Sequence, residues 1–237
     1  MSYAAHIRPV IDRVYATARA AACDRVLEVY ARFGLKPGFE RSFYYGLLAR
    51  PMPADSFAAA TTYGGRDMST ELAQGTAKVD DEGTWELTDL GRELAAAVQL
   101  AVGAGAEELW SRTPIATMPG MTVVPRLAEL VGMLLEHGLS SGGPAFRAMA
   151  PVYEPADASA AVRLTTRLGA LRHHRADAHR AAWQAAGLTA AEIQAMPDGP
   201  ERAAIEAETN RRDEPIYDVL GADERLELLA GLGALAG

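Results

Sequence analysis

The chain has 237 residues, 49% of them hydrophobic, which is enough apolar material for a core that needs neither disulfides nor metals to fold. Its formal charge of -8 argues against a partner that is itself a polyanion, because nucleic acid and anionic membranes are bound through charge neutralisation. The lone cysteine, Cys23, excludes an intrachain disulfide and a cysteine metal cluster, and the longest weakly polar run, LAAAVQLAVGAGA, is too short to span a bilayer.

The N-terminal stretch MSYAAHIRPVIDRVY places Arg8, Asp12 and Arg13 where a signal peptide needs an unbroken apolar run. A soluble, cytoplasmic protein with no membrane contact is therefore expected. Apolar positions then recur at helical spacing, predicting helices over 3–18 and 20–33, the second stopped by Gly34 and Pro37. FERSFYYGLLA follows, then a break at RPMP and two short helical pieces, 54–62 and 66–75, parted by YGG. The one clear non-helical signal is TAKVDDEGTWELT, two short runs around the acidic turn DDEG, which reads as a β-hairpin. A long helix begins directly after it, and the Pro- and Met-containing TPIATMPGM reads as a linker. Beyond the linker the chain returns to helices at 125–137, at 155–186 ended by Gly187, from Pro200, and over DERLELLAGLGAL. Thr189 with Glu192 forms a capping-box pattern for a short helix between Gly187 and Pro200.

The order helix, helix, hairpin, helix over residues 39–94, with GTWELTDLGREL at its end, resembles the winged helix-turn-helix of MarR-like regulators and of many methyltransferase dimerisation modules. The resemblance implies a transcription regulator whose second helix, Arg66 to Gln74, enters the major groove. The charges oppose that role. The segment 39–94 holds five basic and ten acidic side chains, and the wing tip that should meet phosphate is Asp80, Asp81 and Glu82. DNA remains an alternative partner, disfavoured by this acidic wing.

LRHHRADAH, Leu171 to His179, gathers three of the five histidines on two turns of an otherwise alanine- and leucine-rich helix. At 100° per residue Arg172, Arg175, His179 and Trp183 share one face with Leu168 and Ala176, while His173, Asp177 and Arg180 point elsewhere. Three readings follow. The arginines bond carboxylates of neighbouring helices, Glu206 and Glu208 being available, with His179 a satisfied core residue. Alternatively Arg172 and Arg175 hold a carboxylate, phosphate or carbonyl group, His179 acts as acid or base, and Trp183, Tyr44 and Tyr45 supply apolar walls. The third reading, a metal chelated by His173 and Asp177, lacks a His-Glu-x-x-His pattern, so no metal or cofactor is expected. The stretch also resembles a family of bacterial helical proteins with a Leu-Arg-x-His-Arg-x-Asp-x-His helix followed by Ala-Ala-Gly-Leu, here Leu171 to His179 and Ala185 to Leu188. This chain departs from it in having alanine where glycines flank the Asp and in an earlier wing, and the resemblance implies shared architecture without an activity.

GLSSG, Gly138 to Gly142, fits the Gly-x-Ser-x-Gly pattern of hydrolases, but a helix precedes it where a nucleophile elbow needs a strand. Three consecutive aromatic residues, Phe43 to Tyr45, cannot all face one core, so a tyrosine is expected in a cleft or interface. The expected fold is mainly α: an N-terminal helical pair (1–38), a winged-helix module with its long helix (39–113), and a C-terminal helical bundle (114–237). The function expected is that of a homodimeric small-molecule-binding protein, an enzyme of specialised metabolism working without a cofactor on an anionic or carbonyl-bearing ligand. The alternative is a ligand-responsive winged-helix regulator.

Overall fold

The computed structural model describes residues 2–38, 41–63, 68–117 and 122–235, with backbone alone at 41–44 and 116–117. The first helix, α1 (Tyr3–Ala21), is started by Ser2, whose hydroxyl accepts from the Ala5 amide. Ala4, Ile7, Ile11, Val14 and Ala18 recur every three or four residues along it and are all buried. A turn at Ala22 separates it from α2 (Cys23–Phe33), which ends where Gly34 takes a φ of +67°.

Three short helices, α3 (Arg41–Ala49), α4 (Ala54–Ala60) and α5 (Ser69–Gln74), lead to the predicted hairpin, β1 (Ala77–Val79) and β2 (Trp85–Leu87). The strands are antiparallel with Lys78 opposite Glu86, and Met52 adds an isolated bridge to Trp85 through a pair of 2.8 Å backbone hydrogen bonds. The exposed turn is organised by Asp80, whose Oδ1 accepts from the amides of Glu82 and Thr84. Positions 66 and 67 of the expected second helix lie outside the described residues.

Thr88 caps α6 (Asp89–Trp110) through the Gly91 amide. A turn of helix, α7 (Pro114–Thr117), stands in the first part of the expected linker, whose positions 118–121 lie outside the described residues; α8 (Val123–Gly138) and α9 (Pro144–Met149) follow. The helix α8 runs into GLSSG, so Gly138 is a helix end and Ser140 sits in a turn. The long helix α10 (Ala160–Ala185) starts five residues later than Pro155 suggested. Ser159 supplies its cap; the segment before it makes a turn closed by the Ala158 amide on Pro155 O, and Glu154 ahead of that turn accepts from both Nε and Nη2 of Arg167. The predicted capping box of Thr189 and Glu192 opens α11 (Ala190–Ala195); α12 (Pro200–Asp213), a 3-10 turn (Glu214–Val219) and α13 (Ala222–Leu235) complete the chain.

The largest core cluster joins both ends of the sequence: the buried face of α1 packs with Leu127 to Leu135 of α8, Leu164 to Leu171 of α10 and Leu228 to Leu235 of α13. The N-terminal pair, α1 and α2, is thus shared between two clusters, α1 in this core and α2 against Leu94, Val98 and Val102 of α6. The hairpin and the short helices have their own core around Leu47, Met52, Met68 and Leu87. Close approach is licensed by glycine at the crossing of α6 with α10, where a Cβ on Gly103 would stand 2.2 Å from Val162 Cγ2. Among the described residues no helix is long and apolar enough to cross a membrane.

Candidate functional site

Helix α10 lies in the middle of the fold, packed against α6, α8, α9 and α12. Its second half leaves the main core and, with α1, α12 and the end of α4, walls a cavity of about 750 Å³. The lining comes from Arg8 and Asp12 of α1, Arg172, Arg175 and His179 of α10, Arg202, Glu206 and Asn210 of α12, and Thr61 and Tyr63 just beyond α4. Four guanidinium groups against two carboxylates leave a surplus of positive charge in this cavity, within a chain whose net charge is -8.

The arginines are not equivalent. Arg8 and Arg172, from facing helices, meet across Asp12: each brings Nε to 2.8 Å from a different carboxylate oxygen. Arg172 also lies over the Tyr15 ring, 4.6 Å from its centre. Burial lowers the Arg8 pKa, so its charge is held in a poorly solvated place and is compensated chiefly by Asp12. Arg175 is occupied on both arms of its fork, with Nη1 donating to Asn210 Oδ1 at 2.7 Å and Nη2 to Glu206 Oε2 at 2.8 Å. Behind it, His174 and Asp213 form a buried pair at 2.7 Å, which ties α10 to the end of α12.

His179 is set by a chain of three side chains. Trp183 Nε1 can only donate, and it does so to the Tyr63 hydroxyl at 2.9 Å; that hydroxyl still has its own proton to give, and it lies 2.9 Å from His179 Nδ1. In the arrangement where the hydroxyl gives its one proton to Nδ1, the neutral imidazole carries its own proton on Nε2. Nε2 itself is buried without a hydrogen-bond partner and faces Glu206 Oε1 at 3.6 Å. Burial lowers the His179 pKa, and the nearby Arg175, Arg202 and Arg8 add to that against the opposing pull of Glu206, so the neutral form is favoured at pH 7. Burial raises the Tyr63 pKa, which keeps its proton on the phenol. Arg180 fastens this corner by donating to Ala59 O and Thr62 Oγ1 at the end of α4.

The helical spacing of Arg172, Arg175 and His179 thus brings all three to one cavity. Trp183 stands behind it, 6% exposed, positioning Tyr63 and packing with Ile193 and Ile205. Tyr45 is buried in the core beneath the hairpin, with Leu47 and Met52, and is not among the residues lining the cavity. The Tyr44 side chain lies outside the described residues. Glu206 pairs with Arg175 as expected, whereas Glu208 turns outward to Arg211 and Arg212. His173 lines the cavity and bonds Gly169 O through Nδ1, while Asp177 accepts from the Ala145 and Phe146 amides and so caps α9. Among the described residues no three His, Cys, Asp or Glu side chains converge on a point that a metal ion would occupy.

Sequence reasoning missed Arg8, Asp12 and Tyr63. The i,i+4 pair Arg8 and Asp12 was visible beside the buried stripe Ile7 and Ile11, but nothing in the sequence told that α1 crosses α10 there. Tyr63 follows a short helix and carried no pattern at all. Comparison with known proteins finds no matching family model, no matching curated protein and no matching solved structure.

Proposed function

We propose that this chain binds a small anionic or carbonyl-bearing organic molecule in the cavity between α1, α10 and α12, and that His179 is the side chain that touches the ligand's reactive oxygen. The observation that carries the reading is the His179 ring: a buried Nε2 with no hydrogen-bond partner, opposite an Nδ1 bonded to Tyr63, inside a cavity rich in guanidinium. A buried polar atom left unpaired costs about 1–3 kcal/mol, which a ligand oxygen at that position recovers. The proposed action needs no metal, since the protein's own donors supply the polarisation. The test is native mass spectrometry of the full chain purified gently from its host, before and after denaturation. A retained small molecule that is lost in Arg172→Ala is the expected result; ligand-free protein in both forms counts against the reading, and the same spectra give the oligomeric mass.

The winged-helix reading keeps a structural place within this proposal. Its support is the order of α3, α4, α5 and the hairpin, together with the Met52 bridge that adds a third edge to the two strands. The exposed wing tip of Asp80, Asp81 and Glu82 repels phosphate, so the module serves to wall the ligand cavity through Thr61 and Tyr63 and not to read DNA. A mixed-sequence duplex titrated at low salt is expected not to bind. Binding that weakens steeply as salt is raised reverses this and makes the protein a ligand-responsive regulator.

A further inference from the structure

On the α1 and α10 walls of the cavity, Arg8, Arg172 and His179 keep hydrogen-bonding capacity that no described protein atom takes up. Arg8 and Arg172 reach Asp12 through Nε, and their terminal Nη atoms make no hydrogen bond to a described residue. The third is His179 Nε2. Of the other cavity arginines, Arg175 is occupied on both arms by Asn210 and Glu206, and Arg202 gives Nη1 to the carbonyls of Ile193 and Met196, on the far side of the cavity from α1. A guanidinium holding its counter-ion through Nε still presents a fork of N–H donors, and two such forks astride one carboxylate carry one net positive charge between them. Arg172 and His179 stand on one face of α10 two turns apart, about 10 Å along the helix axis.

We infer that the ligand is an extended molecule ending in an oxyanion, a carboxylate or a phosphate, gripped by Arg8 and Arg172, and carrying a neutral carbonyl oxygen about two helical turns away, where it accepts from His179 Nε2. Tyr63 is the positioning residue: its hydroxyl gives its proton to Nδ1 and so keeps the imidazole proton on Nε2, beside Glu206 on the cavity wall. A neutral imidazole in this tautomer is a donor to oxygen and has no lone pair to offer there. The site therefore polarises a carbonyl; it does not abstract a proton through Nε2. A charged second end is disfavoured, because Glu206 Oε1 stands 3.6 Å from Nε2 and would repel a second anion. This inference rests on the cavity being a ligand site, as proposed above.

The probes are linear acids of six to ten carbons carrying a keto group one carbon from the far end, alkanoates of equal length, and phosphate monoesters of the same keto chains, titrated by calorimetry into the full chain. One keto chain length is expected to bind best and to exceed its alkanoate by about five- to tenfold, the effect of one hydrogen bond to an otherwise unpaired donor. Arg8→Gln and Arg172→Gln each weaken both probes by about tenfold or more. His179→Ala removes the keto preference and leaves alkanoate binding in place, and His179→Gln, whose amide N–H can replace Nε2–H, restores part of it. In parallel, ¹⁵N spectra of labelled histidine are expected to show His179 as the Nε2–H tautomer in the native chain, and a shift away from it in Tyr63→Phe; circular dichroism of each variant checks the fold. Phosphate esters binding more tightly than acids identify the oxyanion as phosphate. Keto acids and alkanoates binding alike, an Nδ1–H tautomer in the native chain, or affinity indifferent to both arginines overturns the inference. If no probe binds while mass spectrometry shows a retained molecule of another class, the ligand assignment falls and the cavity reading stands. If neither is seen, both fall.

Discussion

Replacing Asp213 by alanine removes the group that joins the end of α12 to the site helix. Its carboxylate is 1% exposed, accepts from His174 Nδ1 at 2.7 Å, and lies 3.7 Å from Arg175 Nη1. Arg175 retains Asn210 and Glu206 after the change, so its charge is not abandoned. His174 is 7% exposed and pressed edge-on against Phe146, where water cannot readily replace the lost acceptor. Breaking a buried pair outright costs about 3–5 kcal/mol, and with one of the two partners still satisfied the expected loss is about 2–4 kcal/mol. For a chain of this size that corresponds to a fall in Tm of roughly 5–15 °C. Thermal unfolding followed by circular dichroism at matched concentration measures it, with Asp213→Asn as the companion variant, because the amide oxygen still accepts from His174 and the loss should be less than half as large. An alanine variant melting within about 2 °C of the native chain refutes the reasoning, since it would mean that the buried pair does not hold α12 to α10.

The direction of the His179 shift predicts a pH dependence. With the folded-state pKa lowered from 6.5 by burial, the unfolded chain binds a proton below that value which the folded chain resists. The stability contributed by the neutral ring is complete above about pH 6.5 and declines as pH falls through the folded-state pKa, so the stability of the native chain relative to His179→Gln should shrink on acidification; denaturant titrations across pH 5–7.5 that show it growing contradict the burial argument. At the crossing of α6 and α10, Gly103→Ala places a Cβ 2.2 Å from Val162 Cγ2 and 3.0 Å from its Cα, so the helices must separate, at a cost of about 1–3 kcal/mol. Gly233→Ala, in α13 with open space around the new methyl, is the control and should leave stability unchanged or raise it by up to about 1 kcal/mol; equal effects at the two positions would show that the crossing is not close-packed.

Much of the secondary structure was legible in the residues. The 3.6-residue spacing of Ala4, Ile7, Ile11, Val14 and Ala18 marks α1, the Thr189 and Glu192 pair marks the start of α11, and DDEG between two short β-prone runs marks the hairpin, because caps, turns and amphipathic faces are local and the chain carries their chemistry within a few residues. The same periodicity put Arg172, Arg175 and His179 on one face of one helix. It failed where local pattern and packing compete: Pro155 suggested a helix start, yet Pro155 to Ala158 close a separate turn behind a Glu154 held by Arg167 and the helix waits for the Ser159 cap, and Tyr45, a residue expected in a cleft, is drawn into the core beneath the hairpin.

The sequence by itself therefore determined a mainly helical chain, an acidic hairpin tip and a helix face bearing arginine and histidine. Only the tertiary structure decided what that face meets. Asp12 and Arg8 stand 160 and more residues away from Arg172, Tyr63 stands 116 residues away from His179, and no local pattern records such separations. Their meeting follows from how α1 and α4 pack on α10, a global balance of buried area and helix crossing. That packing alone distinguishes Arg175, held on both arms by Asn210 and Glu206, from Arg172, whose Nη atoms make no hydrogen bond to a described residue, although the two residues look alike on the helical wheel.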